Sequence, residues 1–231
     1  MKLLIWDFDG TLAHRPSMWS GTLLHVLGEV HPGHQVKPEH LRPWLQTGFR
    51  WHAPEDEYPV LPAHAWWGEL HPVFEQAYQA AGLDATVARR LAGEVQRHYT
   101  DPQHWEVYPD TGTTLEHLSV LGWRHVILTN HVPEFRELLK ALGLSGHFLQ
   151  VFNSAETGFE KPHPRAFRLV LESLGEAKQV CMIGDNIRAD VQGARAVGLP
   201  AVLVRKNDPA AQWQCTDLSS LPGQLDAIFA D

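Results

Sequence analysis

The 231-residue chain is poor in cysteine, in basic residues and in long apolar runs, and each shortage disfavours a class of protein. Its two cysteines, Cys181 and Cys215, stand in no metal-binding spacing such as C-x-x-C and cannot build a disulfide framework, so a reducing compartment fits best. With 19 Lys and Arg against 27 Asp and Glu, the net charge is −8, which disfavours a nucleic-acid polymer or an anionic membrane surface as a partner. No run approaches the roughly 18 apolar residues of a membrane helix, so we expect no membrane span.

We also expect no secretion signal. Asp7 and Asp9 interrupt the first apolar run too early for the apolar region of a signal peptide. Together with the low cysteine content, this predicts a cytoplasmic protein. Hydrophobic residues make up 44% of the chain and charged residues 20%, a composition typical of globular proteins rather than of disordered or fibrous ones. The sequence does not indicate an oligomeric state.

Strands and helices alternate over most of the second half of the chain. Apolar residues at helical spacing predict helices that separate short apolar runs. Alternation of this kind is typical of parallel β-α-β units, so the sequence predicts an α/β fold. The predicted strands are 2–8, 124–130, 149–154, 179–185 and 200–204.

Residues 14–107 differ from the rest and predict an inserted, all-helical domain. They contain ten of the 15 histidines and six of the nine tryptophans, and they show no convincing strand. The proline-rich stretch 52–64 predicts an ordered loop of this insert. No histidine pair has the helical spacing of a metal site with a third ligand, so we interpret these histidines as scattered surface and core residues. We interpret most of the tryptophans as the core of the insert. The predicted core domain is then 1–13 and 108–231.

Polar side chains follow the predicted strands at four places. In an open parallel sheet, ligands bind beyond the carboxyl ends of the strands. Clustered carboxylates repel one another unless a cation lies between them, and Mg²⁺ prefers such oxygen ligands. A carboxylate can attack phosphorus, while a lysine and a threonine hydroxyl can hold phosphate oxygens. The residues concerned are Asp7, Asp9, Thr129, Asn130, Lys161, Asp185 and Asp190.

Four segments of the chain resemble, in order and spacing, the four motifs of the haloacid dehalogenase-like hydrolases. The resemblance covers 1–13 and 108–205, and the helical insert is similar to the cap of the subfamily that includes small-molecule phosphatases. It implies a Rossmann-like, three-layer α/β/α core with an inserted cap domain. The segments are DFDGTL (7–12), LTN (128–130), EKPHPRAF (160–167) and IGDNIRADVQGARAVG (183–198).

The resemblance implies a nucleophile and a Mg²⁺ site. Asp7 would be the nucleophile and a metal ligand. Asp9 would be the general acid and base, with its backbone carbonyl on the metal. Asp185 would bind Mg²⁺ directly or through water, and Asp190 would orient the metal's surroundings.

It also implies a phosphate site. Thr129 would bind the transferring phosphoryl group through its hydroxyl, helped by the backbone N–H of Asn130. Lys161 would neutralise Asp7 and the phosphoryl oxygens. Gly10 and Thr11 would shape the turn after the nucleophile, so that backbone N–H groups approach phosphate.

The implied activity is that of a Mg²⁺-dependent phosphatase acting on a small phosphorylated metabolite through an aspartyl-phosphate. The alternatives are a phosphomutase with the same chemistry and a non-catalytic phosphate-binding member of the family. A dehalogenase is disfavoured because the family's dehalogenases lack the acid at the position of Asp9 and need no metal. A phosphonate-cleaving enzyme is disfavoured because it lacks that acid too. The net charge of −4 over 14–107 disfavours a leaving group that carries further phosphates.

Overall fold

The computed structural model describes residues 1–175 and 177–230 and divides the chain into two compact units. The core unit consists of Met1–His14, Pro54–Val60 and Glu106–Asp231, and the helical unit consists of Arg15–Ala53 and Leu61–Trp105. Each unit therefore contains segments that are distant in the sequence.

The core unit contains all eight strands of the described residues. Six of them form one sheet with every neighbouring pair parallel, in the order β5-β4-β1-β6-β7-β8, and β2 pairs with β3 in a separate antiparallel ladder. The strands are β1 Lys2–Trp6, β2 Ala13–His14, β3 Glu106–Val107, β4 Trp123–Thr129, β5 Gln150–Asn153, β6 Gln179–Gly184, β7 Ala201–Val204 and β8 Trp213–Cys215.

Within the described part of the chain, ten α-helices accompany these strands, and the first four belong to the helical unit. A turn of π-helix, Ile187–Gln192, leads directly into α9, and a 3₁₀ turn, Pro102–His104, follows α4. The helices are α1 Met18–Val30, α2 Pro38–Leu41, α3 Ala63–Ala80, α4 Ala85–Tyr99, α5 Thr111–Val120, α6 Phe135–Ala141, α7 Ser154–Thr157, α8 Pro164–Leu174, α9 Gly193–Ala196 and α10 Leu221–Ile228.

The parallel sheet forms the centre of the core unit, and β1 lies in its middle. Leu3 and Ile5 of β1 are fully buried and pack in one cluster with Phe167 and Val170 of α8. This explains why the strand has an apolar residue at every position from Leu3 to Trp6: both faces of a parallel sheet are covered. The predicted α/β class, the Rossmann-like parallel sheet and the five predicted strands are confirmed.

The helical unit is built around α1, α3 and α4. Asp84 begins α4 as its N-cap, because its Oδ1 accepts hydrogen bonds from the backbone N–H groups of Thr86 and Val87 at 2.9 and 3.1 Å. The buried face of α4 carries Leu91, Val95 and Tyr99, which are four residues apart. Several of the tryptophans fill this unit as expected: Trp66, Trp67 and Trp105 are buried, and Trp19 stacks on Tyr99 with ring centroids 4.0 Å apart.

Two details of the insert differ from the sequence prediction. His14 and Glu106 were placed in a strand-free segment, but they pair with each other in the β2–β3 ladder. The segment Pro54–Val60 was assigned to a loop of the insert, but it belongs to the core unit. The reason is a backbone hydrogen bond from Tyr58 N–H to the carbonyl of Gly158 at 2.9 Å.

Two further elements were not anticipated. The tail contains a strand, Trp213–Cys215, which lies beside β7 as the sixth strand of the sheet. The segment Ile187–Gln192 after β6 is a turn of π-helix rather than of α-helix. None of the described helices combines the length and the apolar character that crossing a membrane requires.

A buried histidine next to β1 predicts how the stability depends on pH. The Trp6 indole N–H donates to Nδ1 of His125 at 3.0 Å, so the folded state holds this ring in the neutral form. Burial lowers the pKa of His125 to about 4. Between about pH 6.5 and pH 4 the unfolded chain therefore binds a proton that the folded chain does not. We expect His125 to contribute about 3 kcal/mol to the fall in the free energy of unfolding as the pH is lowered through this window.

Urea unfolding between pH 7.5 and pH 4 measures this effect. His125→Gln should flatten the pH dependence, because it removes the titrating group. The same substitution at the exposed His117 is the control and should leave the slope unchanged. Equal slopes for the His125→Gln protein and the unaltered chain would contradict the assignment.

Candidate active site

The turn after β1 places two aspartates at the carboxyl end of the sheet. The backbone N–H of Asp7 donates to the carbonyl of Ile183 at 2.9 Å, which continues the pairing of β1 with β6 by one residue. Gly10, in the turn that follows, has φ +77°, and a Cβ there would lie 2.5 Å from Oδ2 of Asp185. Only glycine allows this turn to lie so close to Asp185.

Lys161 links two of the candidate carboxylates. Its Nζ donates to Oδ1 of Asp7 at 2.7 Å and to Oδ1 of Asp190 at 2.6 Å, and all three residues are buried. Burial alone would lower the pKa of Lys161, but the charges of Asp190 and Asp7 outweigh it and raise the pKa. Lys161 therefore stays protonated and supplies one positive charge to two carboxylates.

The side chain of Asn130 holds the backbone of Lys161 in position. Its Oδ1 accepts from the Lys161 N–H at 2.7 Å, and its Nδ2 donates to the Lys161 carbonyl at 3.0 Å. The sequence assigned Asn130 to phosphate binding through its backbone. In the structure its side chain has a separate role: its two hydrogen bonds connect the end of β4 to the loop that carries Lys161.

Asp190 is fully buried and both its carboxylate oxygens are hydrogen-bonded. Oδ1 accepts from Lys161, and Oδ2 accepts from the backbone N–H of Asn186 at 3.0 Å. A Cβ on Gly184 would lie 2.2 Å from that Oδ2, so the glycine at the end of β6 makes room for the carboxylate. Burial, and next the charge of Asp7, raise the pKa of Asp190.

The other two aspartates have fewer partners. Asp185 pairs with the half-exposed Lys206, whose Nζ lies 2.6 Å from Oδ2. Oδ1 of Asp9 is buried and makes no hydrogen bond to any described residue, and the nearest ring nitrogen, Nε2 of His131, is 3.8 Å away. Burial and then the charge of Asp7 raise the pKa of both carboxyls. The site thus carries more negative charge than its lysines offset.

These carboxylates fit a hard divalent cation. Oxygens of Asp7, Asp185 and Asp190 all lie within 4.8 Å of one another. An all-oxygen set of this kind suits Mg²⁺, which also keeps some of its waters. A divalent ion would reduce the mutual repulsion that raises the carboxyl pKa values.

A buried hydroxyl at the end of β4 lacks a partner among the described residues. Thr129 is 1% exposed, and its Oγ1 makes no hydrogen bond within residues 1–175 and 177–230. A buried hydroxyl of this kind costs about 1–3 kcal/mol unless it is satisfied. An oxygen-rich ligand such as a phosphoryl group would provide the missing acceptor.

The sequence motifs also agree with a family model. The model of the haloacid dehalogenase-like hydrolases matches residues 1–198, which is most of the chain. The chain belongs to this family of hydrolases. The suspected membership is therefore confirmed.

The relatives of this hydrolase include proteins named as phosphatases. It is 38% identical over 154 residues to the phosphoserine phosphatase of Thermus thermophilus, which covers 64% of this chain and 61% of that protein. The chain thus matches about three fifths of that relative's length. It is 33% identical over 204 residues to the phosphoglycolate phosphatase of Aliivibrio fischeri, which covers 86% of this chain and 81% of that protein.

A solved structure shares the fold of the hydrolase. The HAD-hydrolase YfnB from Bacillus subtilis, bound to magnesium, superposes with a TM-score of 0.75, over 97% of this chain and 98% of that one. The sequence identity is 17%, so this likeness concerns the fold.

Arg205 supports the turn of the hydrolase's first motif, a role that the sequence does not predict. Its guanidinium donates to both carboxylate oxygens of Asp110 at 2.6 and 2.8 Å and to the carbonyl of Thr11 at 3.1 and 3.2 Å. It also lies over the ring of Tyr108, 4.0 Å from the centroid. No motif marks Arg205, because its partners are 95 and 194 residues away.

Arg205→Ala is therefore expected to destabilise the core unit. It removes a mostly buried bidentate ion pair and leaves Asp110 without its cation, so the free energy of unfolding should fall by about 2–4 kcal/mol. Chemical denaturation measures the change. Arg168→Ala, at an exposed position of α8, is the control and should change stability by less than about 0.5 kcal/mol. Similar values for the two variants would show that the pair contributes little.

Proposed function

We propose that this hydrolase is a Mg²⁺-dependent phosphatase that cleaves small phosphomonoesters through an aspartyl-phosphate on Asp7. The observation that carries the proposal is the placement of Lys161 between Asp7 and Asp190, with the carboxylate of Asp185 within ion-binding distance. The phosphoserine and phosphoglycolate phosphatases among the relatives support the same reaction class.

In the first step, one carboxylate oxygen of Asp7 attacks phosphorus in line with the leaving group. A bond forms between Asp7 and phosphorus, and the bond from phosphorus to the alkoxide oxygen breaks. Asp9 donates its proton to that oxygen, so the alcohol leaves uncharged. The contact with Lys161 orients the Asp7 carboxylate, because its Oδ1 stays hydrogen-bonded to Nζ.

In the second step, Asp9 accepts a proton from a water molecule. The water oxygen attacks phosphorus, the bond to Asp7 breaks, and inorganic phosphate leaves. Asp7 is regenerated as a carboxylate and Asp9 as an acid, so the cycle is complete. Oδ1 of Asp9 makes no hydrogen bond to a described residue, which suits such proton exchange with an incoming oxygen.

Charge on the transferring group is stabilised by donors at the ends of the strands. Lys161 contributes its ammonium, Thr129 its hydroxyl, Asn130 its backbone N–H, and Gly10 a backbone that phosphate can approach closely. Mg²⁺ would be held by Asp7, Asp185 and the Asp9 carbonyl, with Asp190 orienting the site, and when bound it would neutralise phosphoryl charge.

A dehalogenase reaction fits these residues less well. Displacement of a halide does not require the second acid, Asp9, because a halide leaves without being protonated. Clustered carboxylates bind a cation, and a metal-free reaction does not use one. The proposal therefore keeps phosphate esters as the substrate class.

A metabolite panel tests the proposal. We expect phosphate release from a subset of small phosphomonoesters with Mg²⁺, and loss of that release when EDTA removes the metal. Release should need no bisphosphate activator, whereas a phosphomutase would require one. Haloacids should release no halide, and halide release would contradict the assigned class.

A further inference from the structure

Three histidines of the helical unit converge, although the sequence separates them widely. His25 lies on α1, His98 near the end of α4, and His104 in the 3₁₀ turn Pro102–His104. Each offers one ring nitrogen, and these three atoms lie within 4.8 Å of one another. The ring of His25 lies 4.2 Å from that of His104 and 5.1 Å from that of His98, measured between centroids.

A carboxylate lies beside two of the three histidines. Glu29 follows His25 by one turn of α1. Its Oε2 is 3.1 Å from Nε2 of His98, and its Oε1 is 3.8 Å from Nε2 of His25. Three imidazoles and one carboxylate are the donor set of a four-coordinate transition-metal ion, and they suit zinc rather than Mg²⁺.

The backbone around the group is held firmly. Arg15, which is buried, donates to the carbonyl of His98 at 3.0 Å. The indole of Trp105 donates to the carbonyl of Tyr99 at 2.8 Å and so fixes the segment that carries His104. These bonds keep the end of α4 and the following turn against each other.

The three histidine side chains differ in their exposure to solvent. The side chain of His98 is 3% exposed, that of His104 25%, and that of His25 44%. Zinc bonds of about 2.0–2.1 Å place donor atoms roughly 3.4 Å apart. Separations of up to 4.8 Å between the three ring nitrogens therefore need to shorten by at most about 1.4 Å. A metal ion can thus reach the group from solvent through the more exposed His25 and His104, while the buried His98 stays in place.

A cation already lies beside these acceptors. Nη2 of Arg97 is 2.8 Å from Nε2 of His98 and 3.2 Å from Oε2 of Glu29. Its side chain is 63% exposed, so it is free to turn outward when another cation binds. A metal ion bound to these acceptors would take the place of the guanidinium.

We propose that His25, His98, His104 and Glu29 form a Zn²⁺ site that ties α1 to the end of α4. The site lies entirely within the helical unit and shares no residue with the proposed phosphatase chemistry. Its role is structural, because the ion would join side chains from α1, α4 and the turn after α4. Zinc would add stability to the helical unit, since the ion binds the folded chain and not the unfolded one.

Zinc titration of the full chain tests this site. The titration is run in excess Mg²⁺ against a chromophoric chelator, and thermal unfolding is followed with and without zinc. We expect one zinc per chain and a higher midpoint of unfolding. The double variant His25→Gln/His104→Gln, at partly exposed positions, should bind zinc at least about 100-fold more weakly and lose the shift.

Two controls separate this site from others. His31→Gln/His64→Gln alters two exposed histidines of the same unit and should bind zinc like the unaltered chain. Asp185→Asn should also retain zinc, because its carboxylate belongs to the other cluster. Absence of zinc binding, retention of it by the His25/His104 variant, or its loss in Asp185→Asn would overturn the proposal.

Discussion

Asp7→Asn is expected to abolish hydrolysis while the protein stays folded. An amide has the shape of the carboxylate, and its oxygen can still accept the hydrogen bond from Lys161, but it is too weak a nucleophile to attack phosphorus. The expected loss in kcat is roughly 10⁴- to 10⁶-fold, as for removal of a covalent nucleophile. Phosphate release with a substrate found in the panel measures it.

The control for this variant is an asparagine at an exposed aspartate. Asp226 lies on the exposed face of α10, and Asp226→Asn should leave kcat unchanged. Thermal unfolding of both variants excludes misfolding as the cause. If Asp7→Asn retained a tenth or more of the activity, Asp7 would not be the nucleophile.

Lys161→Met is expected to damage both stability and activity. The substitution leaves Asp7 and Asp190 buried without their cation, which should lower the free energy of unfolding by about 3–5 kcal/mol. It also removes a charge that stabilises the phosphoryl group, so kcat/KM should fall by about 10²- to 10⁴-fold. Chemical denaturation and steady-state kinetics measure the two effects.

A second substitution separates these two effects. In Lys161→Met/Asp190→Asn the excess buried charge is smaller, so part of the lost stability should return, while activity stays low. Lys140→Met, at an exposed position of α6, is the control and should change neither quantity. Recovery of activity together with stability would mean that Lys161 has only a structural role.

The sequence predicted the parts of the fold that leave a local pattern. The five predicted strands were visible because buried parallel strands are continuous apolar runs, as in residues 3–6 of β1. Strand β8 was missed because Trp-Gln-Cys is too short for a pattern, and its place in the sheet depends on pairing with β7. The π-helical turn at Ile187–Gln192 was missed because its side-chain pattern resembles that of an α-helix.

The candidate site followed from the sequence because parallel strands end at one edge. Asp7, Lys161 and Asp190 meet there although up to 183 positions separate them, and their motifs made this foreseeable. Lys206 and Arg205 were not foreseeable, since they act through contacts that only the folded chain creates. The convergence of His25, His98 and His104 was hidden for the same reason.

The central claim is that Asp7 is transiently phosphorylated, and trapping that species tests it most directly. A substrate with a radiolabelled phosphate is mixed with the protein, and the reaction is quenched in acid during turnover. We predict label on the peptide that contains Asp7, and no label on the Asp7→Asn protein. Turnover at a normal rate without label on that peptide, or with label elsewhere, would contradict the account.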